Sequence, residues 1–397
     1  MSGLIAESVR ASLERASWIR EMFEQGARMK AELGEDKVFD FTLGNPLAEP
    51  PAAVHEALQL LLRQHPAGMH RYPPNAGLPE VRAHVARELA RDTGLPYAAQ
   101  HVMMACGAGG ALNALFKALL NPGDEVIALA PYFVEYNFYA QNVGGALVTV
   151  PTDAAFQIDA AAVAAAITPR TRAVIVNSPN NPTGVVYSEA RLRELAEVLR
   201  RASARHGRPI LLISDEPYRY LVFDGVSVPW IPTLYEHTII ATSFSKDLGL
   251  AGERLGYVAL SPSIGDPQLM DALVLANRIL GFVNAPVLMQ RILPLLGTQR
   301  VDAMFYQRLR DQMLPPLREM GYEIVKPEGA FYLFPRSPLA DDVAFVRLAQ
   351  EERLLVVPGS GFGAPGYFRI ALCVSPDTID RALPVFERVL AKARGRG

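Results

Sequence analysis

The chain has 397 residues, of which half are hydrophobic and a fifth charged, and its formal net charge is −2. This balance excludes a mainly disordered chain, and it lacks the excess of Lys and Arg typical of proteins that bind nucleic acids or membrane surfaces. Cys106 and Cys373 are too few for a disulfide framework and have no metal-ligand spacing, so we expect no metal site. Early charged residues argue against a signal peptide, and no apolar run is long enough to span a bilayer. We therefore expect a cytoplasmic enzyme.

The N-terminal part contains one predicted helix followed by loops. Residues 17–30 carry apolar side chains at the spacing of one helix face. The segments 41–51 and 71–77 are rich in Gly and Pro, which predicts loops. A second helical pattern lies at 111–120.

Six short apolar runs, many of their residues β-branched, follow along the chain. They lie at 126–130, 147–150, 173–176, 210–214, 238–242 and 257–260. Such runs are typical of strands buried on both faces, as in a parallel sheet that helices cover. Helical patterns alternate with several of them, for example at 188–205. This alternation predicts an α/β fold with a mainly parallel sheet and helices on both faces.

Beyond residue 285 the pattern changes to a long helix, a few strands and a closing helix over 376–394. This change predicts a second, smaller α+β domain. We expect residues 51–285 to form the larger domain. Residues 286–397 would form the smaller one, joined by the N-terminal segment 1–50.

Polar and aromatic residues follow the predicted strands, at the carboxyl ends where an α/β sheet binds its ligands. The segments are 107–110, 131–133, 177–184, 215–218 and 243–246. Each has an ordinary alternative interpretation: a turn that needs glycine, a core aromatic, a helix-capping acid or a surface lysine.

The combination favours one class of ligand. A glycine turn that opens a helix suits a phosphate, and Phe133 offers a flat ring. Pyridoxal 5′-phosphate also needs a lysine for its aldehyde and a carboxylate for its ring nitrogen, which Lys246 and Asp215 would supply. A charge about 4 Å from that nitrogen contributes roughly 4 kcal/mol at an effective dielectric of 20, which raises the nitrogen pKa by about three units. Of six lysines, only Lys246 follows a predicted buried strand.

Three motifs carry a resemblance to a known family: NSPNNPTG at 177–184, SDEPY at 214–218 and SFSKDLGLAGERLGY at 243–257. In this order and spacing they resemble the class I and II aminotransferases, which are fold type I pyridoxal-phosphate enzymes. The likeness extends from LGNP at 43–46 to FRIAL at 368–372 and is to prokaryotic aspartate, alanine and aromatic aminotransferases. It implies an enzyme that moves an amino group between an L-amino acid and a 2-oxo acid by a ping-pong mechanism.

The resemblance also implies roles for particular residues. Lys246 matches the lysine that forms a Schiff base with the cofactor and moves the proton at the substrate Cα. Asp215 matches the partner of the pyridine nitrogen, and Asn181 and Tyr218 match groups that contact the phenolic oxygen. Phe133 matches the ring that stacks on the cofactor; Ala108, Gly109, Ser243 and Arg254 match the phosphate-binding positions; Gly44, Asn181 and Arg369 match substrate-binding positions, with Arg369 on the α-carboxylate.

Tyr72 matches a tyrosine that reaches the phosphate of the neighbouring subunit. The resemblance therefore implies a homodimer with shared active sites.

Two positions depart from the family pattern. Pro217 stands where many relatives have Ile or Val, and it leaves Asp215 and Tyr218 in register. Gly109 stands where a lysine often attracts an acidic substrate side chain in prokaryotic aspartate aminotransferases. A strict preference for aspartate is therefore not expected.

Two other classes of function stay open from the residues. A β-lyase, decarboxylase or racemase could use the same contacts, because the cofactor supplies the reactivity. A transcriptional regulator with an aminotransferase-like domain is disfavoured, because about forty residues precede the loop at 43–46 and a domain needs roughly fifty. The amino donor and the 2-oxo acceptor cannot be deduced.

Overall fold

The structure, a computed structural model, describes residues 3–15 and 17–395, without the side chains of residues 11, 14, 15 and 17–23. The described residues form two compact units. The larger contains Asn45–Arg308 and Lys326–Phe331. The smaller contains the described residues up to Gly44, Leu309–Val325 and those from Tyr332 onward.

Helices and strands alternate through most of the larger unit. Over both units, the helices are α1 (Glu7–Arg15), α2 (Ser17–Leu33), α3 (Ala52–Gln64), α4 (Pro79–Thr93), α5 (Gly107–Leu119), α6 (Glu135–Gln141), α7 (Ala160–Ala166), α8 (Glu189–His206), α9 (Pro267–Ile279), α10 (Val287–Leu296), α11 (Ala303–Met320), α12 (Asp342–Glu351) and α13 (Pro376–Arg394). The strands are β1 (Phe39–Asp40), β2 (Val102–Ala105), β3 (Glu125–Ala130), β4 (Ala146–Pro151), β5 (Thr171–Asn177), β6 (Leu211–Asp215), β7 (Thr238–Ser243), β8 (Gly256–Leu260), β9 (Tyr332–Leu333), β10 (Leu354–Leu355), β11 (Val357–Pro358) and β12 (Phe368–Ala371). None of the helices within the described residues is long and apolar enough to cross a lipid bilayer.

The larger unit is built on a sheet with the strand order β2-β8-β7-β6-β5-β3-β4. Strands β3 to β7 run parallel, whereas β8 runs antiparallel to both of its neighbours. All six predicted strands are present, and the predicted α/β fold with a mainly parallel sheet is confirmed. The expectation that each run is buried on both faces is wrong for β4, which is an edge strand and keeps most of its residues partly exposed.

Alternate residues of the central strands face different helix layers. On β3, Val126 and Ala128 join a core with α5 and α9, whereas Ile127 and Leu129 join a core with α7 and α8. This alternation follows from the two-residue period of a strand. Helices therefore cover both faces of the sheet.

The sequence predicts a domain boundary at residue 286, whereas the structure keeps residues 286–308 in the larger unit. The reason is a third core that α10 shares with α3 and α4. Met289, Ile292 and Leu293 of α10 are buried there with Val54 and Val81. An apolar helix face does not show in the sequence which neighbour it will cover.

The smaller unit contains two short sheets. Strand β1 pairs with β10 in parallel, and β12 lies between β11 and β9 in an antiparallel sheet. Helix α13 has the bounds predicted for the closing helix and buries Ile379, Phe386 and Val389. Helix α2 includes the predicted helix at 17–30; its apolar residues at 18, 19, 22 and 23 lie outside the described side chains.

Candidate active site

Neighbouring strands of the central sheet end at one edge, and residues that the sequence assigns to the site follow them. In the register of the sheet, Asn177 at the end of β5 lies opposite Asp215 at the end of β6. Ser243 ends β7, the next strand, and Lys246 follows in the turn after it. Because parallel strands carry their carboxyl ends to the same edge, the fold gathers these residues where an α/β sheet binds ligands.

Asp215 is buried at this edge, and its two carboxylate oxygens have different surroundings. Oδ2 accepts a hydrogen bond from the Tyr136 hydroxyl at 2.5 Å and a longer one from Asn177 Nδ2 at 3.5 Å. Oδ1 is buried and has no hydrogen-bond partner among the described residues. Burial raises the pKa of the Asp215 carboxyl to about 7. A buried carboxylate oxygen that accepts no hydrogen bond destabilises the folded chain. This carboxylate therefore suits a ligand that brings a cationic N–H group.

Asp215→Asn is expected to stabilise the cofactor-free protein at neutral pH. The pKa of about 7 lies above the usual 3.8, so the folded chain holds the Asp215 proton more tightly than the unfolded chain does. The carboxyl therefore costs stability as the pH rises from about 4 to about 7, and three pKa units correspond to roughly 4 kcal/mol. Thermal denaturation from about pH 4 to pH 8 should show the melting temperature of the variant rising above that of the parent as the pH increases.

Asp40→Asn is the matched control with the opposite expected sign. Burial raises the pKa of the Asp40 carboxyl, but hydrogen bonds from Lys30 and Thr42 outweigh burial and hold the pKa below its usual value. Loss of that carboxylate should lower stability at neutral pH, and the difference should shrink as the pH falls. An Asp215→Asn protein that is less stable than its parent at every pH would contradict this account, in which the hydrogen bonds to Asp215 do not offset the cost of burying its charge.

Asn177 connects Asp215 to Asn181. Its Nδ2 donates to the backbone carbonyl of Asp215 at 2.9 Å, and its Oδ1 accepts the backbone N–H of Asn181 at 2.7 Å. All three residues are buried. Asn177 thereby links the backbone of Asn181 to the end of β6.

Lys246 and Tyr218 contact the same aromatic ring. Lys246 Nζ lies 5.2 Å from the centroid of the Phe331 ring, and the Tyr218 ring packs edge-on against Phe331 with centroids 5.4 Å apart. Tyr218 is buried and Lys246 is half-buried. Both side chains therefore lie next to one buried ring, where partial shielding from water strengthens the interactions of polar groups.

The first turn of α5 lies against the end of β7 and the start of β8. Gly107 has a φ of 69°, and a Cβ at this residue would lie 2.6 Å from Arg254 Nη2. A Cβ at Gly256 would lie 2.9 Å from the Gly107 carbonyl carbon and closer still to the Thr242 carbonyl oxygen. Glycine is therefore required at both positions. The close packing brings the positive end of the helix and the Arg254 guanidinium together, which suits a phosphate.

Phe133, Ala108 and Gly109 lie around these groups. The Phe133 ring packs edge-on against Tyr136, the partner of Asp215, with centroids 5.6 Å apart. Ala108 and Gly109 belong to the first turn of α5 and are half-buried. A Cβ at Gly109 would lie 3.0 Å from the Tyr139 hydroxyl, so this phenol occupies space that a longer side chain at 109 would need.

Arg369 lies in the smaller unit, where aromatic rings hold its side chain. Its guanidinium carbon is 4.7 Å from the ring centroids of both Tyr332 and Phe362, and Nη2 donates to the Thr42 carbonyl at 2.7 Å. Arg369 is buried, and two rings that stack on a guanidinium fix the orientation of its planar donors. Gly44 is also in this unit and faces the Tyr332 hydroxyl so closely that a Cβ would clash.

Tyr72 is not gathered with the other predicted cofactor residues. Its side chain is 89% exposed, in the loop between α3 and α4. Its contact with a neighbouring subunit stays a prediction.

The structure adds three residues that the sequence does not single out. Tyr136 and Asn177 hold Asp215, and Phe331 contacts both Lys246 and Tyr218. A weak signal exists for two of them: Asn177 directly follows a predicted strand and begins the segment 177–184, and Tyr136 lies three residues after Phe133. Phe331 has no such signal.

Comparison with known proteins gives a consistent family. The family model described as aminotransferase class I and II matches residues 36–386. An aspartate/prephenate aminotransferase from Thermus thermophilus is 35% identical over 363 residues, which cover 89% of this chain and 91% of that relative. An aspartate aminotransferase from Geobacillus stearothermophilus is 34% identical over 386 residues, which cover 92% of this chain and 94% of that relative. The crystal structure of an amino transferase from Eubacterium rectale has a TM-score of 0.95 at 38% identity and covers 99% of this chain and 100% of that one.

The resemblance predicted from the three motifs is confirmed by these matches, and so is the predicted enzyme class. The family model covers most of the chain, and the relatives match it over nearly their whole length. The relatives are named as aminotransferases, so the lyase, decarboxylase, racemase and regulator alternatives are not favoured. The chain is an aminotransferase and belongs to the class I and II aminotransferase family.

Proposed function

We propose that this aminotransferase binds pyridoxal 5′-phosphate through Lys246 and transfers an amino group between an L-amino acid and a 2-oxo acid by a ping-pong mechanism. One observation supports the cofactor most strongly: the buried Asp215 Oδ1, which has no donor among the described residues. A pyridinium N–H would satisfy that oxygen. The first turn of α5 with Arg254 would hold the phosphate, and Phe133 would pack on the ring.

When bound, the cofactor supplies an electron sink for the bond that breaks at the substrate Cα. Asp215 would hold the ring nitrogen and favour its protonated form, since an adjacent negative charge raises the pKa of that nitrogen. Tyr136 and Asn177 hold that carboxylate in place. Lys246 would hold the cofactor through its amine, and the same amine would serve as the base that takes the proton from the substrate Cα. Asn181 and Tyr218 would hold the cofactor at its phenolic oxygen.

Arg369 would bind the α-carboxylate that every amino-acid substrate carries. Its planar donors match a carboxylate in a two-pronged arrangement, and the rings of Tyr332 and Phe362 orient them. Gly44 would lie in the loop that closes over the substrate. Because this contact is common to all amino acids, it selects the substrate class and not the individual substrate.

Aspartate is the first donor to test, because similar proteins are named aspartate or aspartate/prephenate aminotransferases. Gly109 and Tyr139 place a phenol, not an ammonium group, near position 109, so we expect neutral and aromatic donors to be used as well. A panel of aspartate, alanine and aromatic amino acids against 2-oxoglutarate, pyruvate and oxaloacetate tests this. Parallel double-reciprocal plots would support the ping-pong order. Release of ammonia or carbon dioxide without a new amino acid would contradict transamination.

The exposed Tyr72 supports a homodimer in which each chain completes the phosphate site of the other. A mixing experiment tests this directly. Lys246→Ala and Tyr72→Phe proteins are each expected to be impaired, but unfolding and refolding them together should produce heterodimers with one intact site. That site would combine Lys246 of one chain with Tyr72 of its partner, so activity should exceed the sum of the separate proteins.

Mixing Lys246→Ala with Asp215→Asn is the control, because both residues lie in the same chain's site and no heterodimer gains an intact one. Fully active monomers in sedimentation at micromolar concentration would contradict the shared site. Equal activities for the two mixtures would contradict it as well.

A further inference from the structure

The residue after Lys246 belongs to a group of charged residues that has no role in the proposed function. Asp247 is a buried carboxylate in the turn that follows β7. Its backbone carbonyl accepts the N–H of Val301 at 2.7 Å, and its Oδ2 forms an ion pair with Arg300 Nε at 3.3 Å. Both the main chain and the side chain of Asp247 are therefore tied to one short segment, residues 300–301, between α10 and α11.

Arg300 contacts three elements of the larger unit at once. Besides Asp247, it pairs with Glu88 Oε2 of α4 at 3.7 Å, and its guanidinium carbon lies 4.7 Å from the centroid of the Tyr220 ring. Tyr220 follows the 215–218 segment that carries Asp215 and Tyr218. The side chain of Arg300 is only 18% exposed. Arg300 thus joins the turn of Lys246, the segment after Asp215 and helix α4.

We propose that Arg300 and Asp247 are a positioning pair that holds the Lys246 turn in register with the Asp215–Tyr220 segment. The inference rests on the proposed function of Lys246. A side chain that must move a proton between fixed atoms tolerates little displacement, since a shift of about 1 Å can lower a rate by roughly 100-fold. The pair acts on Lys246 through its neighbour in the chain, Asp247.

The electrostatics agree with this geometry. Burial raises the pKa of the Asp247 carboxyl to about 6, and the Arg300 guanidinium opposes that rise. Loss of Arg300 alone would leave Asp247 buried without its cation and free to take up a proton, which costs stability. The informative change removes both charges together, because an asparagine at 247 needs no cation; Glu88 then loses Arg300 but keeps His84, whose Nε2 lies 3.8 Å from Glu88 Oε1.

The test compares Asp247→Asn/Arg300→Met with the parent enzyme, both loaded with pyridoxal 5′-phosphate. We expect kcat, per borohydride-reducible site, to fall about 10- to 100-fold with KM changed less than about threefold. After pyridoxal 5′-phosphate is added to the cofactor-free protein, the visible absorption band of the lysine-bound cofactor should form more slowly by a similar factor. The single variant Arg300→Lys keeps Asp247 and the positive charge but loses the planar donors. Its kcat and its rate of band formation should therefore lie between those of Asp247→Asn/Arg300→Met and those of the parent.

Glu125→Gln/Arg170→Met is the matched control. Glu125 is a buried carboxylate whose Oε1 pairs with Arg170 Nη2 at 2.7 Å, and it begins β3, at the edge of the sheet opposite to Lys246. This pair has the same chemistry and no connection to the Lys246 turn. Its loss should leave kcat per site and the rate of band formation unchanged, whatever it does to the melting temperature.

Two results would overturn the positioning role. One is parent-like kcat and band formation in Asp247→Asn/Arg300→Met. The other is a loss of activity that disappears once rates are expressed per reducible site, because that loss would reflect folding alone. If the reduced cofactor maps to a lysine other than Lys246 in the parent protein, the proposed function itself fails. These failures are therefore distinguishable.

Discussion

Lys246→Ala is expected to abolish measurable transamination while the protein stays folded. Loss of the proton transfer at the substrate Cα alone should lower kcat by roughly 10²- to 10⁴-fold, and the covalent anchor for the cofactor is lost as well. Lys246 is half-buried and lies over the Phe331 ring, so truncation removes few core contacts. Single-turnover assays and absorption spectra of the variant with pyridoxal 5′-phosphate added would measure both losses.

Lys117→Ala is the control for this experiment. Lys117 is an exposed residue near the end of α5, the helix whose first turn is proposed to bind the phosphate. Because Lys117 lies in the last turn of α5, about 15 Å along the helix from the first turn, its removal should leave transamination and the visible absorption band unchanged. An active Lys246→Ala protein with an unchanged visible absorption band would contradict the assignment of the lysine.

Arg369→Ala is expected to lower kcat/KM by roughly 30-fold to several thousandfold. Truncating one partner of a desolvated charge pair costs about 2–5 kcal/mol, and each 1.36 kcal/mol is a factor of ten in rate. The two rings and the Thr42 carbonyl hold the planar guanidinium of Arg369, which we propose binds the substrate carboxylate. Arg369→Lys should therefore recover only part of the loss, since an ammonium group is a point charge.

Arg381→Ala separates substrate binding from structural effects. Arg381 is in the same unit and also lies over an aromatic ring, that of Phe39 at 5.7 Å, but it pairs with Asp377 at 2.8 Å on the exposed surface of α13. Its loss should leave kcat/KM unchanged. Unchanged kcat/KM in Arg369→Ala, together with a lower melting temperature, would show that Arg369 is structural.

The central sheet could be predicted because its strands are short apolar runs bounded by turn residues. Strand β2, Val102–Ala105, escapes prediction because two of its residues are methionines, which do not favour strands over helices. The exposure of β4 was not predictable, since an edge strand and a central strand can share one apolar pattern. The domain boundary depends on which surface α10 covers, and tertiary packing decides this.

The site residues that the sequence could predict from the strand pattern lie at the end of a strand or in the turn after it, such as Asp215 and Lys246. Tyr136 could not be assigned a role, because its hydroxyl reaches a carboxylate 79 residues further along the chain. The space at Gly109 is a similar case, since only the fold shows that the Tyr139 hydroxyl lies beside it. The shared dimer site and the cytoplasmic location stay predictions.

Borohydride reduction followed by peptide mapping tests the proposed cofactor site most directly. Protein purified with pyridoxal 5′-phosphate should be yellow, and reduction should remove the visible band and fix one cofactor per chain on Lys246. The peptide that contains SFSK at 243–246 should carry the added mass. Label on any other lysine, or no label on a protein that still transaminates, would contradict the site.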